Sequence, residues 1–171
     1  EPRHPGAHFT LGLALAAMAQ HAEAANAFRR ACELDPAAAQ AWRALGDQLT
    51  IVDDGPGADA AYAQSIKASV ADPRLQEAAR ALIDGKLAVA EAILRAHLKA
   101  QPTDVAAIRM LAEVGARLGR FEDAEKLLAR CLQLAPSFTA ARHNYALVLH
   151  RQSKAAAARE QIDILVEAVP D

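Results

Sequence analysis

The sequence predicts an all-α protein, a stack of about five helical hairpins. Three observations predict it. Pro102, Pro136 and Pro170 recur at a period of about 34 residues, and the residues between them keep register. Ala90, Ala124 and Ala158 align, each followed one helical turn later by Leu94, Leu128 or Ile162. The stretch 104–136, DVAAIRMLAEVGARLGRFEDAEKLLARCLQLAP, reads as two amphipathic helices. Ile108, Leu111, Ala112 and Gly115 mark one helical face, and Gly119 breaks the pattern. Phe121 opens a second helix with the stripe Ala124, Leu128, Cys131 and Leu132, which Pro136 ends. Neither helix can bury its stripe alone, so the hairpin requires neighbours.

Taken in order, the repeats span about 5–38, 39–70, 71–104, 105–138 and 139–171, read together as one domain. The first carries His8-x2-Leu11-Gly12-x2-Leu15, Ala24-x3-Phe28 and Pro36; its opening helix is apolar on several faces. The second carries Trp42-x2-Leu45-Gly46-x2-Leu49 and Ala58-x3-Tyr62, with Asp53-Asp54-Gly55-Pro56-Gly57 as its inter-helix turn. Those two acids lack the further oxygen ligands of a calcium loop, so they read as a solvated turn. Asp72-Pro73, an N-cap followed by a first-turn proline, opens the third repeat early. That repeat diverges most: Arg74 and Glu77 replace the Trp42 and Leu45 of its predecessor, and an irregular twist is expected there. The last two are regular, with Thr103, Asp104 and Ser137 as expected caps.

A helix-turn-helix period of this length, with W-x2-L-G-x2-Y-like and A-x3-F-like positions and a closing proline, resembles the tetratricopeptide repeat. The resemblance implies a right-handed superhelical solenoid whose first helices line a concave face and bind an extended peptide. A narrower likeness covers about residues 40–152. GADAAYAQSIKASVADPRL, IRMLAEVGARLGRFEDAEKLLARCLQLAP and ARHNYALVLHRQ are similar to the N-terminal repeat region of bacterial proteins that join such repeats to a sulfotransferase domain. It implies an accessory region that positions a substrate. The nucleotide-sulfate-binding loop is absent from this chain, so any such activity would belong to a downstream domain. The chain begins at Glu1 rather than Met, which reads as a piece of a longer protein.

Net charge is −2, so no global field selects nucleic acid or an anionic membrane. Ala makes up roughly a quarter of the residues and aromatics 4%, so the core should be thin and spread along the stack. The longest apolar run, Leu11 to Ala19, is too short to span a bilayer, and no basic segment precedes it. Cys32 and Cys131 fall on the buried stripes of second helices in different repeats and read as small hydrophobes, not a disulfide. Thiols of that kind fit a reducing, cytoplasmic setting.

No phosphate loop, H-E-x-x-H, C-x-x-C or G-x-S-x-G is present, and neither catalysis nor a cofactor is expected. His143 and His150 share a helical face but have no third ligand by spacing, so no metal is expected. His21 and His97 lack partners by spacing. What remains is a surface. The repeat register places Arg43, Asp47, Leu75, Leu82, Arg109, Glu113, Arg117, His143, Asn144, His150 and Arg151 on the expected groove. The first three repeats offer it mostly apolar groups; the last two offer arginines and histidines. This predicts a protein or peptide partner with an apolar segment and an acidic group or chain terminus, which arginine captures bidentately. The alternative is that Arg109, Glu113 and Arg117 only pair along one solvated helix. The Lys and Asn set of chaperone-tail clamps is missing from the matching positions of the first three repeats. At the C-terminal edge, Ile162, Leu165, Val166 and Val169 form the expected inner stripe. Ile164 matches Arg30, Gln64, Ala96 and Arg130, which predicts a contact with a downstream domain or a second copy.

Overall fold

In a computed structural model that describes residues 4–168, ten α-helices follow one another without a strand among the described residues. They form five hairpins: α1 (Pro5–Ala17) with α2 (His21–Leu34), α3 (Ala39–Ile51) with α4 (Gly55–Ser69), α5 (Pro73–Ile83) with α6 (Leu87–Ala100), α7 (Val105–Arg117) with α8 (Phe121–Leu134), and α9 (Thr139–Arg151) with α10 (Ala155–Ala168). No helix among the described residues is long and apolar enough to cross a membrane. The chain divides into two compact units between Asp72 and Pro73, where α5 opens on its proline as the sequence predicts. The first unit holds α1–α4 and the second α5–α10.

Every hairpin turns the same way. Ala19, Asp53, Gly85, Gly119 and Ser153 each adopt a left-handed backbone, with φ between 57° and 75°. The next residue's N–H reaches back to the carbonyl five residues earlier: Gln20 to Leu15, Asp54 to Leu49, Lys86 to Ala81, Arg120 to Gly115 and Lys154 to Leu149, at 2.8–3.0 Å. This 6→1 bond satisfies a carbonyl that the end of the helix leaves open. Only two of the five positions carry the glycine that left-handed backbone favours. The turn in the second hairpin is shorter than the sequence predicts. Gly55, Pro56 and Gly57 already belong to α4, because Asp54 caps it by accepting from the Gly57 N–H at 3.0 Å, and a first-turn proline needs no N–H partner. Asp104 caps α7 in the same manner, accepting from Ala107. The N-cap of α9 is Phe138, so Ser137 stands one residue outside that position, and Thr103 precedes the cap of α7.

The core of each hairpin is a column of small residues beside a column of large ones. Ala24, Ala58, Ala90, Ala124 and Ala158 are all buried. One turn on, Phe28, Tyr62, Leu94 and Leu128 are 0–1% exposed. Gly12 and Gly46 lie against the aromatic rings of Phe28 and Tyr62: a Cβ added at Gly12 would sit 2.6 Å from the Phe28 ring, and at Gly46 3.0 Å from that of Tyr62. The hairpins with Leu94 and Leu128 carry Ala78 and Ala112 at the matching position, so helix separation is set by the sum of the two side chains. Hydrogen bonds repeat with the same register. Ser65 Oγ donates to Ala39 O at 3.0 Å and Cys131 Sγ to Val105 O at 3.4 Å, each tying a second helix to the start of its partner. Trp42 Nε1 donates to Pro36 O and Arg142 Nη2 to Pro136 O, so an indole and a guanidinium do the same task one hundred residues apart.

Two expectations need correction here. Leu132 is only half-buried, unlike its stripe neighbours Leu128 and Cys131. More consequentially, the inner stripe of α10 is not covered: Ile162 is 49% and Val166 68% exposed, and only Leu165 is half-buried. Val169 lies outside the described residues. Within the described residues no helix packs on that side of α10, whereas each earlier member of the Ile162 column is enclosed.

Candidate groove on the second unit

Apolar packing fixes α7, on which eight residues are buried, and α9 packs near it across α8. Between them opens a groove of about 520 Å³. Ala112, Ala116, Phe121, Leu147 and Val148 form its apolar wall. Glu113, Arg117, Asn144 and Arg151 supply its polar groups. These last four are residues the repeat register places on the groove, and the fold does bring them together.

They differ in how free they are. Arg117 Nη2 donates to Glu113 Oε1 at 2.6 Å, and Arg109 Nη1 to Glu113 Oε2 at 3.3 Å, so the helical pairing along one face is formed. Arg117 Nη1 also donates to Leu82 O at 2.7 Å, in the last turn of α5. Arg117 is therefore a strut between α5 and α7, satisfying a terminal carbonyl of α5. Arg151 is exposed and makes no ion pair or hydrogen bond among the described residues, and the Asn144 amide is half-buried and equally unengaged.

The other predicted groove residues do not line this site. His143 and His150 are exposed on α9 outside its walls. Leu75 and Leu82 are 5% exposed and pack in the core with Ala78, Leu94 and Leu111, so they wall the hairpin interior instead. Arg43 and Asp47 belong to the first unit; Arg43 is buried, and Asp47 Oδ1 accepts from the Tyr62 hydroxyl at 2.7 Å.

Two histidines have partners that helical spacing does not reveal. His21 Nδ1 lies 2.9 Å from Gln48 Oε1. His97, 1% exposed, sits at the end of α6 with Nε2 2.8 Å from Asp104 Oδ2 across the loop to α7. A carboxylate only accepts, so Nε2 donates to it, and Nδ1 is buried without a hydrogen-bond partner. The signal was in the column: His97 stands where other repeats have Ala31, Ser65 and Cys131, and a larger polar group there needs a polar mate. Neither cysteine forms a disulfide, and burial pushes both thiols up to about 12. No group of three or more His, Cys, Asp or Glu among the described residues could hold a metal ion.

No curated protein sequence matches the chain. Tetratricopeptide repeat models match residues 5–38 and 105–148. Among solved structures, YrrB, described as a TPR protein with an unusual peptide-binding site, is similar at 17% identity and a TM-score of 0.54, over 96% of this chain and 86% of its own. MamA (residues 41 to the end) from Desulfovibrio magneticus RS-1 is similar at 14% identity and 0.54, over 98% and 96%. PilF of Pseudomonas aeruginosa is similar at 18% and 0.51, over 98% and 77%. At such identities the likeness is one of fold. Residues 5–38 and 105–148 match tetratricopeptide repeats, and the all-α hairpin architecture is similar to that of tetratricopeptide-repeat solenoids.

Proposed function

We propose that the chain is a non-catalytic protein-interaction scaffold, and that the α7–α9 groove of its second unit takes an apolar side chain and a neighbouring carboxylate from a partner protein or peptide. The observation that supports this is the unengaged pair Asn144 and Arg151 beside an open apolar wall. An arginine with no internal partner can offer its whole fork to a carboxylate. Arg117 and Glu113 hold the floor in place and are not the capturing groups.

The test is fluorescence anisotropy with a labelled peptide of leucines and glutamates. Arg151→Glu should weaken binding about tenfold or more, roughly 1.4 kcal/mol, and added salt should weaken it further. Arg29→Glu with Arg30→Glu, on α2 and already bonded to Asn26 and Glu33, should leave it unchanged. Equal losses from both, or no binding by the native chain, would refute the carboxylate site. A second reading, in which the repeats position the substrate of a downstream sulfotransferase domain, is favoured by the sequence likeness of residues 40–152. It requires that turnover by the full gene product fall when Arg151 is replaced.

A further inference from the structure

Arg151, at the end of α9, stands between two hollows of the second unit. It lines the α7–α9 groove, and with Phe121 it also lines a neighbouring hollow of about 440 Å³. The turn before α8, the first-turn acids Glu122 and Asp123 of α8, and Gln152 form the other walls of that hollow. A segment that reaches Arg151 along the groove and continues past it therefore runs beside two carboxylates.

Most polar groups around the two hollows are already engaged. Glu113 lies between Arg109 and Arg117, at 3.3 and 2.6 Å. Arg120 pairs with Glu91 at 2.8 Å, and Gln152 Nε2 donates to Glu125 Oε2 at 2.8 Å. Among the charged residues that line either hollow, Arg151, Glu122 and Asp123 are the three that are exposed and make no ion pair or hydrogen bond among the described residues. They amount to one positive and two negative charges around one small space. A space of that size is comparable in width to the screening length of about 8 Å at physiological ionic strength, so salt does not isolate them from one another. A purely acidic segment is held by the arginine and repelled by both acids. A segment whose carboxylate is followed by an ammonium or guanidinium satisfies all three. Repulsion of the wrong partner sets specificity as much as attraction of the right one.

We propose, on the reading that Arg151 receives the partner's carboxylate, that Glu122 and Asp123 set the charge order of the segment in the groove: an apolar side chain, then an acid at Arg151, then a base beside Glu122 and Asp123. The two acids are specificity-determining neighbours of Arg151, and they discriminate among acidic partners that Arg151 alone would accept.

The experiment is fluorescence anisotropy with three labelled peptides of equal length and blocked ends. One holds leucine and glutamates only; the others add a lysine, in the orders leucine–glutamate–lysine and lysine–glutamate–leucine, which cover both chain directions. At least one lysine peptide should bind the native chain about five- to tenfold more tightly than the all-glutamate peptide. In a Glu122→Gln, Asp123→Asn chain that advantage should fall below about twofold, and the all-glutamate peptide should bind more tightly than it does to the native chain. Both substitutions keep side-chain shape at exposed positions, so helical circular dichroism should match the native chain. Glu160→Gln with Glu167→Gln removes the same charge from exposed positions of α10 outside both hollows and should leave the advantage intact. Binding of the all-glutamate peptide with no lysine advantage would overturn the charge order and leave the carboxylate site standing. A lysine advantage that persists without Glu122 and Asp123, or that falls equally with the α10 pair, would overturn it as well. Binding of none of the three peptides would overturn the carboxylate site and the charge order together.

Discussion

Replacing Gly12 by alanine tests whether helix spacing is set by the sum of facing side chains. A Cβ at Gly12 would lie 2.6, 2.7 and 2.8 Å from three atoms of the Phe28 ring, closer than carbon atoms approach without displacement. The ring is 1% exposed and packs against Phe9, with centroids 5.5 Å apart. Overpacking of this kind costs about 1–3 kcal/mol. Alanine regains about 1 kcal/mol of helix propensity over glycine, so Gly12→Ala should destabilise by roughly 1 kcal/mol. Phe28→Leu alone should cost about 2 kcal/mol through the volume it removes. Together they recreate the Ala112 and Leu128 pairing of the fourth hairpin, which is fully buried in the native chain. The double variant should therefore be more stable than the sum of the singles by about 1–2 kcal/mol. Urea unfolding of the native chain and the three variants, followed by circular dichroism, gives the four free energies. Additivity within about 0.5 kcal/mol would refute the idea that these positions constrain each other. A Gly12→Ala variant more stable than the native chain would refute the close contact itself.

Further outcomes follow from the turns, the buried pair and the thiols. Ala19→Gly and Ser153→Gly should each stabilise by about 0.5–1 kcal/mol, since relief of left-handed strain exceeds the added entropy of the unfolded chain, while Gly119→Ala should destabilise by about 1 kcal/mol; thermal melts read both signs. Asp104→Ala should cost about 2–4 kcal/mol in chemical unfolding, because it removes the cap of α7 and leaves His97 buried without its acceptor; His97→Leu, which keeps the cap, should cost clearly less. Cys32 and Cys131 hold their protons up to about 12 when folded, against about 8.5 in an unfolded chain, so the unfolded state loses protons first as pH rises. Their contribution is complete below about pH 8.5 and is lost between there and about pH 12, and a Cys32→Ala, Cys131→Ala chain should show a flatter decline over that window.

The hairpins were legible because burial repeats with them. Pro136 and Pro102 punctuate the sequence, and Ala24 recurs as Ala58, Ala90, Ala124 and Ala158 at positions that are buried in every hairpin. What the sequence does not show is any contact that joins residues across a corner. His97 and Asp104 meet over a loop, where helical spacing has no authority, and Arg117 spends a donor on a carbonyl of α5 that no side-chain pattern announces. Leu75 and Leu82 were misplaced for a related reason. They share a register with groove residues of other repeats, but in α5 that register turns inward to the core of the second unit.

That difference bears on how the groove can vary. The pKa values of Glu91 and Glu125 are held below the ordinary glutamate value, chiefly by hydrogen bonds from Arg95 and Lys154 respectively, yet these pairs stand largely in water. Solvated ion pairs contribute about 0–1 kcal/mol each, while a single buried leucine in the Leu94 and Leu128 column contributes about 1.5–3 kcal/mol. The stack is therefore held mainly by second-helix columns, which are confined to small and large apolar residues. Exposed positions of the first helices, such as Leu147 and Arg151, carry little of that load and can change chemistry without unfolding the hairpin. Arg151 contributes to no internal bond among the described residues, so a loss of partner binding in Arg151→Glu without a loss of stability would locate its role on the surface of the fold and not within it.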